Sequence, residues 1–142
     1  MKRIFPTPQD AEAAFYNALE KNDLDAMMEV WAEDEEIVCI HPGGPRRVGF
    51  EQVRESWAQI FASGQKLTVR LTHRVQMTSS MLAVHSVHEN LAVAAEQTAG
   101  TAVATNVFTR SSDGWRMLAH HASPADALPV REPSNQSAKT LH

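Results

Sequence analysis

Cysteine is nearly absent: among 142 residues only Cys39 carries a thiol. One thiol excludes an intramolecular disulfide framework and any cysteine-built zinc cluster. It also fits a reducing compartment. Positive charge is in short supply. Thirteen Lys and Arg stand against 17 Asp and Glu, a net charge of -4, where a nucleic-acid binder carries a basic face. Long apolar runs are missing too; none approaches the ~20 residues that a membrane span needs. The start, Met1-Lys2-Arg3-Ile4-Phe5-Pro6, has basic residues without the apolar stretch of a secretion signal. The resulting expectation is a soluble, cytoplasmic protein that engages neither nucleic acid nor membrane. What is present is ordinary globular material, 43% hydrophobic and 21% charged, enough for one core without metal or disulfide staples.

The pattern divides the chain into a helical part and a strand part. Thr7-Pro8-Gln9-Asp10 reads as a helix start, with a hydroxyl N-cap, proline in the first turn and an acid at the positive end of the dipole. Ala11, Ala14, Phe15, Ala18 and Leu19 follow at helical spacing. Asp23 caps a second helix whose stripe is Leu24, Met27, Met28 and Trp31. Ile37-Val38-Cys39-Ile40 is a short buried strand, ended by His41-Pro42-Gly43-Gly44-Pro45. Phe50, Val53, Trp57, Ile60 and Phe61 mark a third helix, with Gly64 as its stop.

From Gln65 the period becomes two. Strands are expected at roughly 66–78, 81–93, 101–111 and 114–123, with turns at Ser79-Ser80 and Ser112-Asp113-Gly114 and a less definite connection around Glu96–Gly100. Segregated helices and strands indicate an α+β fold, a curved antiparallel sheet with the helices on its concave face. Residues 1–124 form the expected domain. The proline- and serine-containing segment 125–142 is expected to be an extended or disordered tail.

Three segments carry a family resemblance: Ala18–Met28 running into Trp31-Ala32-Glu33-Asp34; His41-Pro42-Gly43-Gly44 with Gly49 and the helix through Ser56-Trp57; and Asn106–Arg110 with Gly114–Leu118 and His120–Pro124. In this order they resemble the nuclear transport factor 2-like (NTF2-like) superfamily and its SnoaL-like group. The resemblance implies a cone whose bent sheet wraps the first helix around a pocket, and a homodimer through the outer sheet face. It does not choose a chemistry, because the superfamily holds isomerases, dehydratases, cyclases, hydrolases and proteins without catalysis.

Candidate site residues follow from strand alternation. In the last strand Trp115, Met117, Ala119, His121 and Ser123 share one face, and the apolar members suggest that it is the inner one. His121 is then the proton-transfer candidate and Ser123 its neighbour in the pocket, while His120 faces outward. A purely structural imidazole is the other reading. Asn106, beside Phe108, reads as an orienting amide on an apolar wall or as a satisfied core amide. Glu89 and His85 share a strand face, as an acid–base pair or as a solvated surface. His85 and His88 point to opposite faces, which makes a metal site poor; no metal and no cofactor are expected. His41, with its glycines, lies by resemblance near the pocket mouth, and Trp31 and Trp57 are core residues that the same resemblance puts on a pocket wall. Arg54, one turn before Trp57, could pair with a carboxylate substrate or be an ordinary surface arginine. Cys39, between Val38 and Ile40, reads as core packing rather than a nucleophile.

The isomerase branch provides a negative comparison. Counting back from Asp23 places Phe15 at its catalytic tyrosine, with Tyr16 one position off, and its catalytic aspartate would fall at about Val38-Cys39-Ile40, where this chain has no acid. The expectation is therefore a small-molecule pocket protein, either an acid–base enzyme of isomerase, dehydratase or hydrolase type or a non-catalytic dimeric binding or interaction domain.

Overall fold

A computed structural model describes residues 2–93, 98–126 and 128. Helix α1 spans Pro8–Lys21, with the Thr7 hydroxyl accepting the Asp10 amide at 3.0 Å. It ends at Asn22 in the left-handed conformation. The Asp23 carboxylate accepts the Ala26 amide at 3.0 Å and starts α2, Leu24–Val30. Strand β1 is Val38–Ile40, and β2, Arg46–Val48, is a short return strand that the proline- and glycine-rich sequence around it does not announce. Helix α3 covers Phe50–Ala62. Strands β3 (Leu67–Thr78), β4 (Leu82–Val93), β5 (Thr98–Ser111) and β6 (Gly114–Ala125) form the meander. The connection expected around 96–100 falls partly on residues 94–97, outside the described residues, as does nearly all of the expected tail; β6 itself continues through Ala125.

The sheet is six-stranded, curved and unclosed, in the order β2-β1-β6-β5-β4-β3. Every pairing is antiparallel except β1 with β6. The helices cover the concave face, and their apolar stripes meet the inward residues of the strands. Phe15, Met27, Trp31, Val53, Val87, Phe108 and Met117 are all buried there. No helix among the described residues is long and apolar enough to cross a membrane.

One irregularity decides which residues of β6 face inward. Met117 pairs with Phe108 and Ala119 with Val107, so Leu118 is an extra residue, a β-bulge. It sits where two partners meet β6 in succession: Trp31 bridges to Met117, with the Ala32 amide on the Met117 carbonyl at 3.0 Å, and β1 begins pairing at Ala119. Before the bulge Trp115 and Met117 are buried as expected; after it the phase is reversed, and His120 and Ala122 are buried. The expected inward placement of His121 and Ser123 is therefore corrected: both are exposed on the outer face.

Candidate functional site

Inside the sheet a polar chain crosses the core. It begins on α1, where Glu12 and Tyr16 are one turn apart and both buried despite their polarity. It continues on β4 with His85 and Glu89, on β5 with Asn106 and on β6 with His120, each no more than 4% exposed. The Tyr16 hydroxyl donates to Glu89 Oε2 at 2.6 Å. Asn106 Nδ2 donates to Glu12 Oε2 and to Tyr16 Oη, both at 3.0 Å. His120 Nδ1 lies 2.6 Å from Asn106 Oδ1. His85 Nδ1 is 3.1 Å from Glu12 Oε2, a close electrostatic contact without the alignment of a hydrogen bond.

These bonds fix proton positions. The Asn106 amide must point its nitrogen at Glu12 and Tyr16, because its oxygen would face acceptors there. Its oxygen accepts only, so His120 Nδ1 carries the proton and Nε2 keeps a lone pair. A second imidazole is fixed similarly. The Ser56 hydroxyl donates to the Val53 carbonyl at 2.9 Å, so His41 Nε2, 3.2 Å away, donates to Ser56 and leaves Nδ1 unprotonated.

Burial sets the charges. Burial, with smaller repulsion from His41 and His121, holds His120 down to about 3. Burial and the nearby Arg47 hold His41 down to about 4. Both rings are neutral near pH 7. Burial pushes Glu89 above the ordinary carboxylate range, reinforced by Glu12 and opposed by the Tyr16 hydrogen bond. Tyr16 is raised far enough by burial and by Glu89 to stay protonated. Burial pushes the Cys39 thiol up to about 12, so it is no nucleophile at neutral pH.

A cavity of about 140 Å³ opens beside the chain. Its polar wall is His41, Glu89 and His120; its apolar wall is Leu19, Pro42, Trp57, Ile60, Leu67 and Leu91. Trp57 meets the His41 ring edge-on at 4.6 Å between centroids, and its buried indole N–H has no hydrogen-bond partner. Two larger depressions lie elsewhere. One of about 680 Å³ is an open groove near Arg70, Asn90 and Thr101. Its Asn90 amide is already engaged, bonded to the Arg70 carbonyl and to Thr72 and Thr101. The other, about 440 Å³, lies beside Arg3, Phe5 and Asn17. The smaller cavity brings together His41, Glu89 and His120, whose proton affinities are shifted by burial, and it is the candidate site.

The residues expected in the site separate clearly. His41, Trp57 and Glu89 lie on the cavity wall, and Asn106 stands directly behind it. Trp31 is 1% exposed in the core, at the end of α2 and edge-on to Phe15 at 6.4 Å. His121 and Ser123 face away, Arg54 is exposed, and His120 takes the inward place. The face of His85 and Glu89 is buried, not solvated. Among the described residues no cluster of His, Cys, Asp and Glu has the arrangement of a metal site. Glu12 and Tyr16 were not expected in the site. Their signal is the i, i+4 pairing of an acid and a phenol beside the apolar stripe of α1, in line with Leu19.

Comparison with known proteins agrees with this architecture. Residues 9–127 match the model of the SnoaL-like domain. A Thiobacillus denitrificans structure, provisionally assigned as a calcium/calmodulin-dependent protein kinase type II association domain, is 39% identical. The match covers 88% of this chain and 100% of that one, with a TM-score of 0.78. A provisionally assigned dehydratase of the NTF2-like family from Streptomyces avermitilis is 32% identical, with 82% and 92% covered and a TM-score of 0.76. The F-box protein SKIP8 of Arabidopsis thaliana is 26% identical over 110 residues, 77% of this chain but only 46% of that protein's length.

Proposed function

This chain belongs to the SnoaL-like family and has the NTF2-like fold, and from that premise we propose that it is a small-molecule pocket enzyme in which Glu89 transfers a proton. The observation that carries this reading is the asymmetric state of the Glu89 carboxyl. One oxygen is fixed by Tyr16 at 2.6 Å, the other has no hydrogen bond among the described residues, and the group lies on the cavity wall with its proton affinity raised. Raising a carboxyl toward the working pH is the usual way to make it an acid–base catalyst. His120, a weak base held neutral, orients the ligand by accepting a hydrogen bond through Nε2. Asn106 positions His120, and Tyr16 positions Glu89. The relative provisionally assigned as a dehydratase is compatible with such proton transfer.

The test uses 3-hydroxycyclohexanone, a compact neutral ligand, in deuterated buffer. Proton NMR follows exchange at the carbons beside its carbonyl and any loss of water. Wild-type protein is expected to accelerate one of these reactions above buffer, and Glu89→Gln to lower the rate by about 10²-fold or more. Equal rates in the two proteins would contradict the role of Glu89.

A homodimer through the outer sheet face is part of the proposal. Val75 and Met77 lie on that face of β3, at 58% and 62% exposure, with Met81 (58%) and Leu82 (45%) at the adjoining hairpin. Apolar side chains grouped in this way suit an association surface. The 39%-identical relative, provisionally assigned as an association domain, supports this second role of the same fold.

A further inference from the structure

The proposed enzyme has no substrate class, and the hydrogen-bonding inventory of the cavity supplies one. Three polar groups on the wall have accepting atoms left over. His120 Nε2 is one, because Nδ1–H is committed to Asn106. His41 Nδ1 is another, because Nε2–H is committed to Ser56. The third is the Glu89 oxygen that Tyr16 does not occupy. On the donor side, among the described residues, the Glu89 carboxyl is available when protonated, while the Trp57 indole N–H is buried away from the open space.

No lysine or arginine among the described residues lines the cavity. Arg47 acts on His41 from β2, opposite Cys39, and is not on the wall. Nothing inside could therefore neutralise a carboxylate or phosphate, and an unpaired anion strongly resists burial. Around the acceptors the wall is apolar, formed by Leu19, Ile60, Leu67 and Leu91 with Trp57. The volume, about 140 Å³, is close to the ~150 Å³ of a protein cavity that holds one benzene-sized ring.

We propose that this cavity selects an uncharged, single-ring-sized molecule bearing hydroxyl donors, and that His120 and His41 are the specificity residues that accept from those hydroxyls. The inference rests on the reading of this cavity as the ligand site, but not on proton transfer by Glu89. It excludes acidic metabolites, including the carboxylate partner that Arg54 suggested from sequence. It also excludes purely hydrocarbon ligands, which would leave the buried acceptors unsatisfied.

Two matched pairs of probes test it by calorimetry and ligand-observed NMR on the full chain. Resorcinol and 1,3-difluorobenzene have nearly the same shape and differ in hydroxyl donors. Nitrobenzene and benzoate have nearly the same shape and differ in charge. Resorcinol is expected to bind at least tenfold more tightly than 1,3-difluorobenzene, and nitrobenzene at least tenfold more tightly than benzoate. In a folded His120→Leu variant, the advantage of resorcinol over the fluorinated probe is expected to shrink, because His41 is then the one imidazole acceptor left on the wall. Benzoate equal to nitrobenzene, 1,3-difluorobenzene equal to resorcinol, or no binding of any probe to folded wild-type protein would each overturn the proposal. The wild-type comparisons stand even if the variant does not fold. Hydroxyl selectivity without catalysed exchange would leave this inference intact and reject proton transfer by Glu89; exchange with no hydroxyl selectivity would do the reverse.

Discussion

Glu12 and Glu89 are two carboxyls in one core, joined through Asn106 and Tyr16 rather than by cations. Such a network is stable only when its protons are arranged so that every bond has one donor and one acceptor. The same arrangement leaves His120 neutral with a lone pair toward the ligand. It also gives stability a pH dependence whose sign is fixed. His120 titrates near 6.5 when unfolded and about 3 when folded, so between these values the unfolded chain binds more protons and stability rises with pH. The contribution is present above pH 6.5 and is lost as pH falls toward 3, at up to about 1.4 kcal/mol per pH unit. His41, held at about 4, acts in the same direction. Glu89, raised above its ordinary value, acts in the opposite direction just above pH 4.5. Denaturant unfolding between pH 4 and 6.5 is expected to show stability rising with pH, less steeply in His120→Leu and more steeply in Glu89→Gln. An unchanged slope in His120→Leu would contradict the buried neutral imidazole.

Elements whose signals are local were legible in the sequence. Thr7 and Asp23 are capping residues because their side chains meet amides three positions on, and the sequence shows that spacing directly. The β3, β4, β5 and β6 meander was legible from period two and its turns. Strand β2 was not, because it forms only by pairing back on β1. The Leu118 bulge was not legible either. It arises from contacts of β6 with Trp31 and with β1, both distant in sequence, and it transfers the inward position from His121 to His120. For the same reason the site was visible only in pieces. Glu89, Asn106, His41 and Trp57 stand out one at a time, but the bonds that join Tyr16 to Glu89 and Asn106 to Glu12 span 73 and 94 residues. Gly114 shows an element-scale constraint that can be measured. It opens β6 at φ +91°, and an added Cβ would lie 2.7 Å from the Phe5 carbonyl oxygen, where the N-terminal segment bridges to the hairpin. Gly114→Ala is expected to cost about 1–3 kcal/mol of unfolding free energy. A loss below about 0.5 kcal/mol, ordinary for a surface change, would show that the Phe5 bridge is not tight.

At the scale of the whole molecule, the sheet divides two tasks between its faces. The concave face holds the polar chain and the cavity. The outer face holds His121 and Ser123 together with the exposed Val75 and Met77. If that outer face mediates dimerisation, Met77→Glu is expected to shift wild-type dimer to monomer in light scattering, with the helical and strand content unchanged by circular dichroism. A wild-type monomer, or a variant dimer as stable as wild type, would exclude this face as the interface.

The proton on Glu89 can be observed by a carbon-13 titration of its side-chain carboxyl. Its midpoint is expected clearly above the ordinary glutamate value, because burial and Glu12 both disfavour the charge. Removing the Tyr16 hydroxyl in Tyr16→Phe is expected to move it higher still, since that hydrogen bond favours the carboxylate. A midpoint at or below the ordinary value in the wild-type protein would contradict the account and leave Glu89 a structural carboxylate rather than a proton-transfer residue.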